Sequence, residues 1–228
     1  MRLTPAELLA MWERAAEHSQ PARALTFLAA AHPEAAADEL VAMPIGRRDA
    51  EILALRRENF GDHFTGVTSC PVCSVAVELS FTTADVFAAV AEPHDGPLEV
   101  TRGERVYRFR LPATADVIAA AASDDPQRVL LERCTEDEVS AEDGDAIAGA
   151  MYASDPFAAI ELTIACPGCG GTFARSFDIV SYLWSELSAR ALRIAEEVHT
   201  LARAYGWREQ DVLALSPGRR RLYMELAQ

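Results

Sequence analysis

Two short stretches decide the fold of this chain, Cys70-Pro71-Val72-Cys73 and Cys166-Pro167-Gly168-Cys169. Each is a CxxC turn, here called a knuckle, which can present two thiolates to one metal ion. Together the knuckles supply the four soft ligands that structural zinc takes in tetrahedral geometry. Residues 74–165 separate them, far more than the roughly 15 to 20 residues of an ordinary zinc ribbon. The sequence therefore predicts one structural zinc ion in a split zinc ribbon, bound by Cys70, Cys73, Cys166 and Cys169.

Three other interpretations of the knuckles stay open from sequence alone: a redox-active pair, a disulfide, and a site that has lost its metal. A thioredoxin-type CxxC follows a strand and opens a helix, whereas alternating apolar and polar residues on both sides of each knuckle predict strands. This context favours zinc. Four cysteine ligands leave no position for water, so the metal is predicted to be structural. The fifth cysteine, Cys134, is predicted to be a small buried hydrophobic residue.

The two knuckles belong to a short internal repeat. Ser80-Phe81 follows Cys73 at the same distance at which Ser176-Phe177 follows Cys169. This spacing predicts two similar β-hairpins, each with a knuckle at its tip and an inward phenylalanine at its base.

The flanking segments are predicted to be helical. Thr4-Pro5-Ala6-Glu7 has the cap, the first-turn proline and the glutamate of a helix start. Further helices are expected over 21–31 and over 46–59, where Gly61 ends the second of them. Asp178 begins a long helix whose apolar positions step by three or four up to Tyr205, about 40 Å at 1.5 Å per residue. Two short helices follow it, over 207–215 and from 217 to about 227.

Between the knuckles the sequence predicts an inserted α/β segment. A hairpin is expected over 98–111 with its turn at Gly103, followed by helices over 114–122 and 126–134. The acidic stretch 136–145 is predicted to be a solvated loop or helix start, and 157–165 a strand. The fold class is therefore α+β, in three parts: a helical N-terminal segment (1–61), a split zinc-ribbon body with its insertion (62–177), and a C-terminal helical subdomain (178–228).

Composition limits the classes of function. The formal net charge is −14, so the summed field repels nucleic acid and anionic membrane surfaces. No uninterrupted apolar run approaches the roughly 20 residues that cross a bilayer, and the N-terminus lacks the pattern of a secretory signal. We therefore expect a cytoplasmic protein, with incorporation into a larger particle left open, and neither nucleic acid nor membrane as a partner.

The sequence contains no recognisable catalytic motif. The five histidines are scattered, and none forms HExxH or accompanies a nucleophile signature. His199, in the predicted long helix, is expected to be a packing or capping residue. We therefore predict that the chain is not an enzyme.

Three parts of the chain resemble a known family. They are Met43-Pro44-Ile45-Gly46-Arg47-Arg48-Asp49 with the helix up to Phe60-Gly61, the two knuckles, and Glu197-Val198-His199-Thr200-Leu201-Ala202 with the segment up to Tyr223. They are similar to baseplate proteins of contractile phage tails and phage-tail-like injection systems, in particular the T-even-type baseplate hub assembly chaperones. The resemblance covers roughly residues 40–228. The family pattern has glycine after the first knuckle, where this chain has Ser74.

The resemblance implies a non-enzymatic structural or assembly protein of a contractile-tail baseplate, whose partners are other tail or baseplate proteins. Aromatic and arginine side chains dominate the energetics of protein interfaces. We therefore expect the partner surface on the C-terminal helices, although the aromatic residues there also suit internal packing. The alternative functions are a zinc-ribbon regulator that binds nucleic acid, which the net charge opposes, and a hydrolase with an unrecognised site. The predicted partner-binding residues are Trp207, Arg219, Arg220, Arg221 and Tyr223.

Overall fold

The computed structural model of the chain describes residues 2–90, 97–140 and 142–227. Helices and small two-stranded antiparallel sheets alternate along it, which confirms the predicted mixture of helices and hairpins. The helices are α1 (Pro5–Ala16), α2 (Gln20–Ala31), α3 (Ala37–Ala42), α4 (Ile45–Phe60), α5 (Thr83–Ala89), α6 (Thr114–Ala121), α7 (Pro126–Cys134), α8 (Gly144–Ser154), α9 (Ile179–Tyr205), α10 (Glu209–Leu213) and α11 (Pro217–Leu226). The strands are β1 (His63–Ser69), β2 (Ala76–Thr82), β3 (Glu99–Arg102), β4 (Arg105–Arg108), β5 (Glu161–Ala165) and β6 (Thr172–Ser176).

The N-terminal helices and α9 share one hydrophobic core. The predicted capping box begins α1: the Glu7 N–H donates to the Thr4 hydroxyl, and the Thr4 N–H donates to the Glu7 carboxylate. The apolar faces of α1, α2 and α4 pack against α9, as their spacing of three and four residues requires. Helices from the two ends of the chain therefore build a single body. Its most deeply buried side chains include Met11, Phe27, Ile52, Leu183 and Leu187.

The long helix α9 matches its prediction closely. The Asp178 carboxylate accepts hydrogen bonds from the N–H groups of Val180 and Ser181, which caps the first turn. Gly206 ends the helix in the left-handed conformation, with φ of 68°. The buried apolar face of α9 ends at Leu201, one turn earlier than predicted, since Tyr205 is 38% exposed. His199 is also exposed on this helix, so its prediction as a packing residue is wrong.

The two knuckle hairpins, β1–β2 and β5–β6, are anchored to α9 at their bases. Phe81 and Phe177, the phenylalanines of the predicted repeat, meet edge to face with ring centres 5.4 Å apart. Phe64 of β1 stacks on Phe81 at 4.9 Å, and Tyr182 of α9 lies 5.1 Å from Phe64. Offset-stacked and edge-to-face arrangements are favourable for aromatic rings. The repeat therefore produces one aromatic cluster where the bases of the two hairpins meet α9.

The inserted segment has a core of its own. The predicted hairpin β3–β4 turns at Gly103, whose φ is 61°, and packs with α7 and α8. Cys134 is 2% exposed within this core, which confirms its prediction as a small buried residue. The other buried members are Tyr107, Phe109, Leu131, Ile147 and Met151.

The stretch 43–49 joins α4 to the inserted segment. The Gly46 N–H donates to the Asp155 carboxylate at 2.9 Å, and a Cβ at Gly46 would overlap that carboxylate. Arg48, which is 6% exposed, donates to the Thr114 hydroxyl at 3.0 Å. Glycine is therefore required here by the close approach of the carboxylate that caps α4.

Helices α3 and α5 were not predicted, and for α8 the sequence predicted only a loop or helix start within 136–145. The last of these begins inside the acidic stretch and contains two glycines, so its sequence lacks a strong helix signal. The strand predicted over 157–165 begins only at Glu161, because Pro156–Ala159 forms a 3-10 turn. No helix in the described part of the chain combines the length and apolar character needed to cross a membrane.

Candidate metal centre

Four cysteine sulfurs meet where the tips of the two hairpins come together. The Sγ atoms of Cys70 and Cys169 are 3.8 Å apart, and those of Cys73 and Cys166 are 3.5 Å apart. All four lie within 4.8 Å of one another. Cys70 and Cys166 are buried, while Cys73 and Cys169 lie nearer the surface. The predicted ligand set is therefore assembled as a cluster that suits a single metal ion.

The two knuckles have the same backbone hydrogen bonds. In the first, Cys70 N–H donates to Val75 O at 3.0 Å and Ser74 N–H donates to Cys70 O at 3.0 Å. In the second, the N–H groups of Cys166 and Gly170 make the corresponding bonds, at 2.8 and 2.9 Å. The repeat detected in the sequence therefore extends to the conformation of each turn.

Both knuckles end on a left-handed residue. Gly170 has φ of 74°, and Ser74, at the corresponding position, has φ of 58°. Ser74 is the one non-glycine residue with positive φ among the described residues. The left-handed conformation costs an L-residue about 1–2 kcal/mol. The first knuckle thus adopts the same turn as the second in spite of this penalty.

The knuckles also touch each other. A Cβ at Gly168 would lie 3.0 Å from a methyl group of Val75 and 3.4 Å from the Cys73 sulfur. The second knuckle therefore approaches the first so closely that a side chain in the middle of its turn would require Val75 to shift.

The surroundings of Cys70 and Cys73 shift the pKa values of these two thiols in opposite directions. Backbone N–H groups of Cys73 and Val72 lower the pKa of the Cys70 thiol to about 6. The Val75 N–H lowers the pKa of Cys73, but proton sharing with neighbouring sulfurs and burial outweigh it and raise that pKa to about 11. Sulfurs this close cannot all lose their protons without a positive charge between them. A divalent cation would supply that charge.

The spacing of the sulfurs fits a tetrahedral ion. A metal–sulfur distance of about 2.3 Å, as in zinc–thiolate sites, gives a tetrahedron with edges of about 3.8 Å. The two measured Sγ distances, 3.8 and 3.5 Å, are close to this value. With four protein ligands such a site holds its ion without an open coordination position, which is the arrangement of structural rather than catalytic metal sites.

Substitutions at Ser74 and Gly170 test whether the left-handed position of each knuckle favours glycine. We expect Ser74→Gly to raise the free energy of unfolding by up to about 1 kcal/mol and Gly170→Ser to lower it by about 1–2 kcal/mol. The reason is that only glycine adopts this conformation without steric strain. Denaturant unfolding of the metal-loaded protein measures both changes. Gly171→Ser is the control, because Gly171 is not left-handed and a Cβ there meets the Cys169 sulfur at an ordinary 3.6 Å. Equal losses for the two glycine variants would contradict the explanation.

The aromatic residues predicted to bind a partner pack against one another. The Trp207 and Tyr223 rings meet edge to face at 4.9 Å, and Tyr205 stacks on Trp207 at 4.8 Å. These contacts join the end of α9 to α11. Binding of a partner by Trp207 and Tyr223 stays a prediction.

The three consecutive arginines divide into exposed and buried positions. Arg219 and Arg221 are exposed, and their role in binding stays a prediction. Arg220 is 2% exposed, and its Nε lies 2.7 Å from Oε2 of Glu197 on α9. The prediction that Arg220 belongs to the partner surface is wrong, because the helical turn points this side chain at α9 and not at solvent.

Because Arg220 is buried and Arg221 is exposed, replacing each of them with glutamate is predicted to change stability by very different amounts. Arg220→Glu is expected to lower the free energy of unfolding by about 2–4 kcal/mol, because it places a carboxylate in a buried position against Glu197, whose own side chain is 34% exposed. Arg221→Glu is expected to change it by less than about 0.5 kcal/mol. Urea unfolding of both variants at one pH and metal content measures the difference. Similar losses for both would mean that α11 does not pack as described.

One buried charged residue has a structural role that the sequence did not reveal. Arg56, 1% exposed, donates from Nε and Nη2 to both carboxylate oxygens of Glu186, at 2.8 and 2.7 Å. It also donates to the carbonyls of Gly61 and His63 and lies 3.8 Å from the Phe64 ring centre. Arg56 therefore connects α4, β1 and α9 beneath the metal hairpins. Apolar periodicity does not mark an arginine as buried. The burial of Arg56 could therefore be recognised only once its partner Glu186 was known.

The cluster of four cysteine sulfurs defines the candidate metal site. The chain matched no protein-family model, no curated protein and no solved structure.

Proposed function

We propose that Cys70, Cys73, Cys166 and Cys169 bind one structural zinc ion, and that the chain is a non-catalytic structural or assembly protein of a contractile-tail baseplate that holds a partner protein. The observation that carries the zinc assignment is the cluster of four sulfurs within 4.8 Å of one another, in which the Cys70–Cys169 and Cys73–Cys166 distances are close to those of a tetrahedral zinc site. Four cysteine thiolates are one of the ligand sets of structural zinc sites. When bound, the ion cross-links two hairpins that are distant in sequence.

The baseplate role is supported by the resemblance of 43–61, the knuckles and the C-terminal segment to baseplate hub assembly chaperones. In keeping with that role, two of these residues join parts of the fold. Gly46 and Arg48 both contact the inserted segment. The net charge of −14 opposes the alternative of a nucleic-acid-binding regulator. Other tail or baseplate proteins are the partners that we propose.

Metal analysis tests the zinc assignment. Protein purified without chelator should contain about one equivalent of zinc, and hydroxamate inhibitors, which need an open coordination position, should not bind to it. A value near zero with four free thiols would contradict the assignment. A bound hydroxamate on a metal held by three cysteines would instead indicate a catalytic site.

Mass spectrometry tests the baseplate role. The protein should co-purify with tail or baseplate proteins from cells that assemble contractile particles, either in finished particles or in assembly intermediates. A salt-dependent gel shift on DNA or RNA, without any such association, would favour the regulator instead.

A further inference from the structure

Two strand edges of the metal hairpins have outward-facing main-chain groups. Along an antiparallel pair, residues alternate between those that hydrogen-bond to the partner strand and those that point away from it. The bond from Cys70 N–H to Val75 O sets this alternation in the first hairpin. It follows that the N–H and C=O groups of Glu78 and Ser80 point away from β1.

The second hairpin has a corresponding free edge. The bond from Cys166 N–H to Gly171 O sets the alternation there, so the main-chain groups of Glu161 and Thr163 point away from β6. Within the described residues, β2 and β5 each pair with one strand and have no further strand on the other side.

The outer edge of β1, in contrast, is capped by side chains. The Tyr182 hydroxyl accepts from the Thr65 N–H and donates to the Thr65 carbonyl, both at 3.0 Å. Arg175 donates to the Ser69 carbonyl at 2.9 Å. Capping of this kind is one way in which proteins prevent unwanted pairing at a sheet edge. Side chains therefore cover the edge of β1, whereas in the described part of the chain no strand lies against the edges of β2 and β5.

The open edges of β2 and β5 bound the same cleft, which has a volume of about 560 Å³. Five consecutive residues of each strand line it, 77–81 and 161–165. A cavity over a sheet face would contact every second residue, because side chains alternate between faces. Contact with consecutive residues indicates that the cleft runs along the main chains, over about 17 Å at 3.4 Å per residue.

The cleft is acidic and has an apolar floor. Glu78, Asp85 and Glu161 line it, and no arginine does. Val77 and Ile164 are buried beside it in the small cluster that also contains Cys70 and Cys166. The side chains at the cleft therefore alternate largely between apolar and polar along each strand, and each strand has one carboxylate, Glu78 or Glu161. An extended segment that alternates between apolar and basic residues would complement them.

We propose that the cleft between β2 and β5 binds an extended segment of a partner protein, in which apolar residues alternate with arginine or lysine. The segment adds a strand to both free edges and joins the two hairpins into one sheet, a recognised mode of peptide binding. A second copy of this chain is a poor occupant, since its own strand β2 or β5 would place a carboxylate against these carboxylates. The cleft is separate from the C-terminal helices, and the proposal does not depend on the baseplate role.

A direct test uses a synthetic peptide of about nine residues that alternates valine and arginine, enough to span the cleft. Fluorescence anisotropy with the full, metal-loaded chain measures its Kd. Thr163→Pro is expected to weaken binding at least about tenfold, because it removes an N–H on the open edge of β5 without removing a β5–β6 bond. The control is Ala174→Pro: Ala174 is the cross-strand partner of Thr163, and its N–H faces the opposite side. That variant should bind as the unchanged protein does.

Two further variations of the experiment separate strand addition from simple charge attraction. N-methylation of alternate peptide amides should weaken binding in both alternating patterns, because successive main-chain N–H groups of a strand that lies between two edges point to opposite edges. Glu78→Gln with Glu161→Gln should weaken binding and reduce its dependence on salt. If N-methylation in both patterns leaves the Kd unchanged, the peptide is held by charge alone and the proposal is wrong. Absence of binding at about 1 mM peptide would also overturn it.

Amide hydrogen exchange provides a readout that needs no variant. The N–H groups of Ser80 and Thr163 should exchange rapidly in the free protein and become protected when the valine–arginine peptide is bound. Unchanged exchange at both residues in the presence of saturating peptide would overturn the proposal.

Discussion

Replacing Cys166 with serine is expected to unfold most of the chain and not only one loop. Structural zinc contributes about 10–16 kcal/mol of apparent binding free energy in small zinc domains, which is comparable to the whole stability of a typical protein. The hairpins that the ion would cross-link carry Phe64, Phe81 and Phe177, and these rings pack in the core shared by α1, α4 and α9. Loss of the ion should therefore loosen that core.

Hydrogen exchange by mass spectrometry measures how far the effect spreads. In Cys166→Ser, and in unchanged protein treated with a strong chelator, peptides from α9 should lose protection together with those from the hairpins. Cys134→Ala is the control, because Cys134 is a buried cysteine outside the cluster, and this variant should retain its zinc. Loss of protection confined to 63–82 and 161–176, with α9 unchanged, would show that the hairpins are an independent module.

Replacing Arg56 with alanine is expected to lower the free energy of unfolding by about 3–5 kcal/mol. The substitution leaves the carbonyls of Gly61 and His63 without their donor and removes both hydrogen bonds to Glu186. It also removes the guanidinium group that lies on the Phe64 ring, and so leaves a cavity at the centre of the aromatic cluster. Urea unfolding at constant zinc measures the change.

The neighbouring Arg57→Ala is the matched control for this experiment. Arg57 is exposed on the same helix, so its loss should change the free energy of unfolding by less than about 0.5 kcal/mol. Zinc content should stay near one equivalent in both variants, because Arg56 supports the bases of the hairpins and not the knuckles. If the two alanine variants have the same stability, the buried position of Arg56 is wrong.

Several elements were predictable because their signals are local. The ligand set follows from the spacing of the cysteines, and the starts of α1 and α9 follow from the capping chemistry of Thr4 and Asp178. The course of α9 follows from a stripe of apolar residues with helical period. Each CxxC turn and each cap is complete within a few residues of sequence, and the apolar stripe lies within one helix, so these signals can be recognised without knowing how the elements pack.

Other features depended on contacts between distant residues. Arg220 and Arg221 are indistinguishable in sequence, and only the position of Glu197 on α9 decides which of them is buried. Glu186 is likewise needed to explain Arg56, since the two are 130 positions apart. The cleft between β2 and β5 arises because the two hairpins meet at their tips and bases while each of these strands, among the described residues, pairs with one strand only. Periodicity and capping describe single elements, whereas burial of a charge and exposure of a strand edge are properties of how those elements pack.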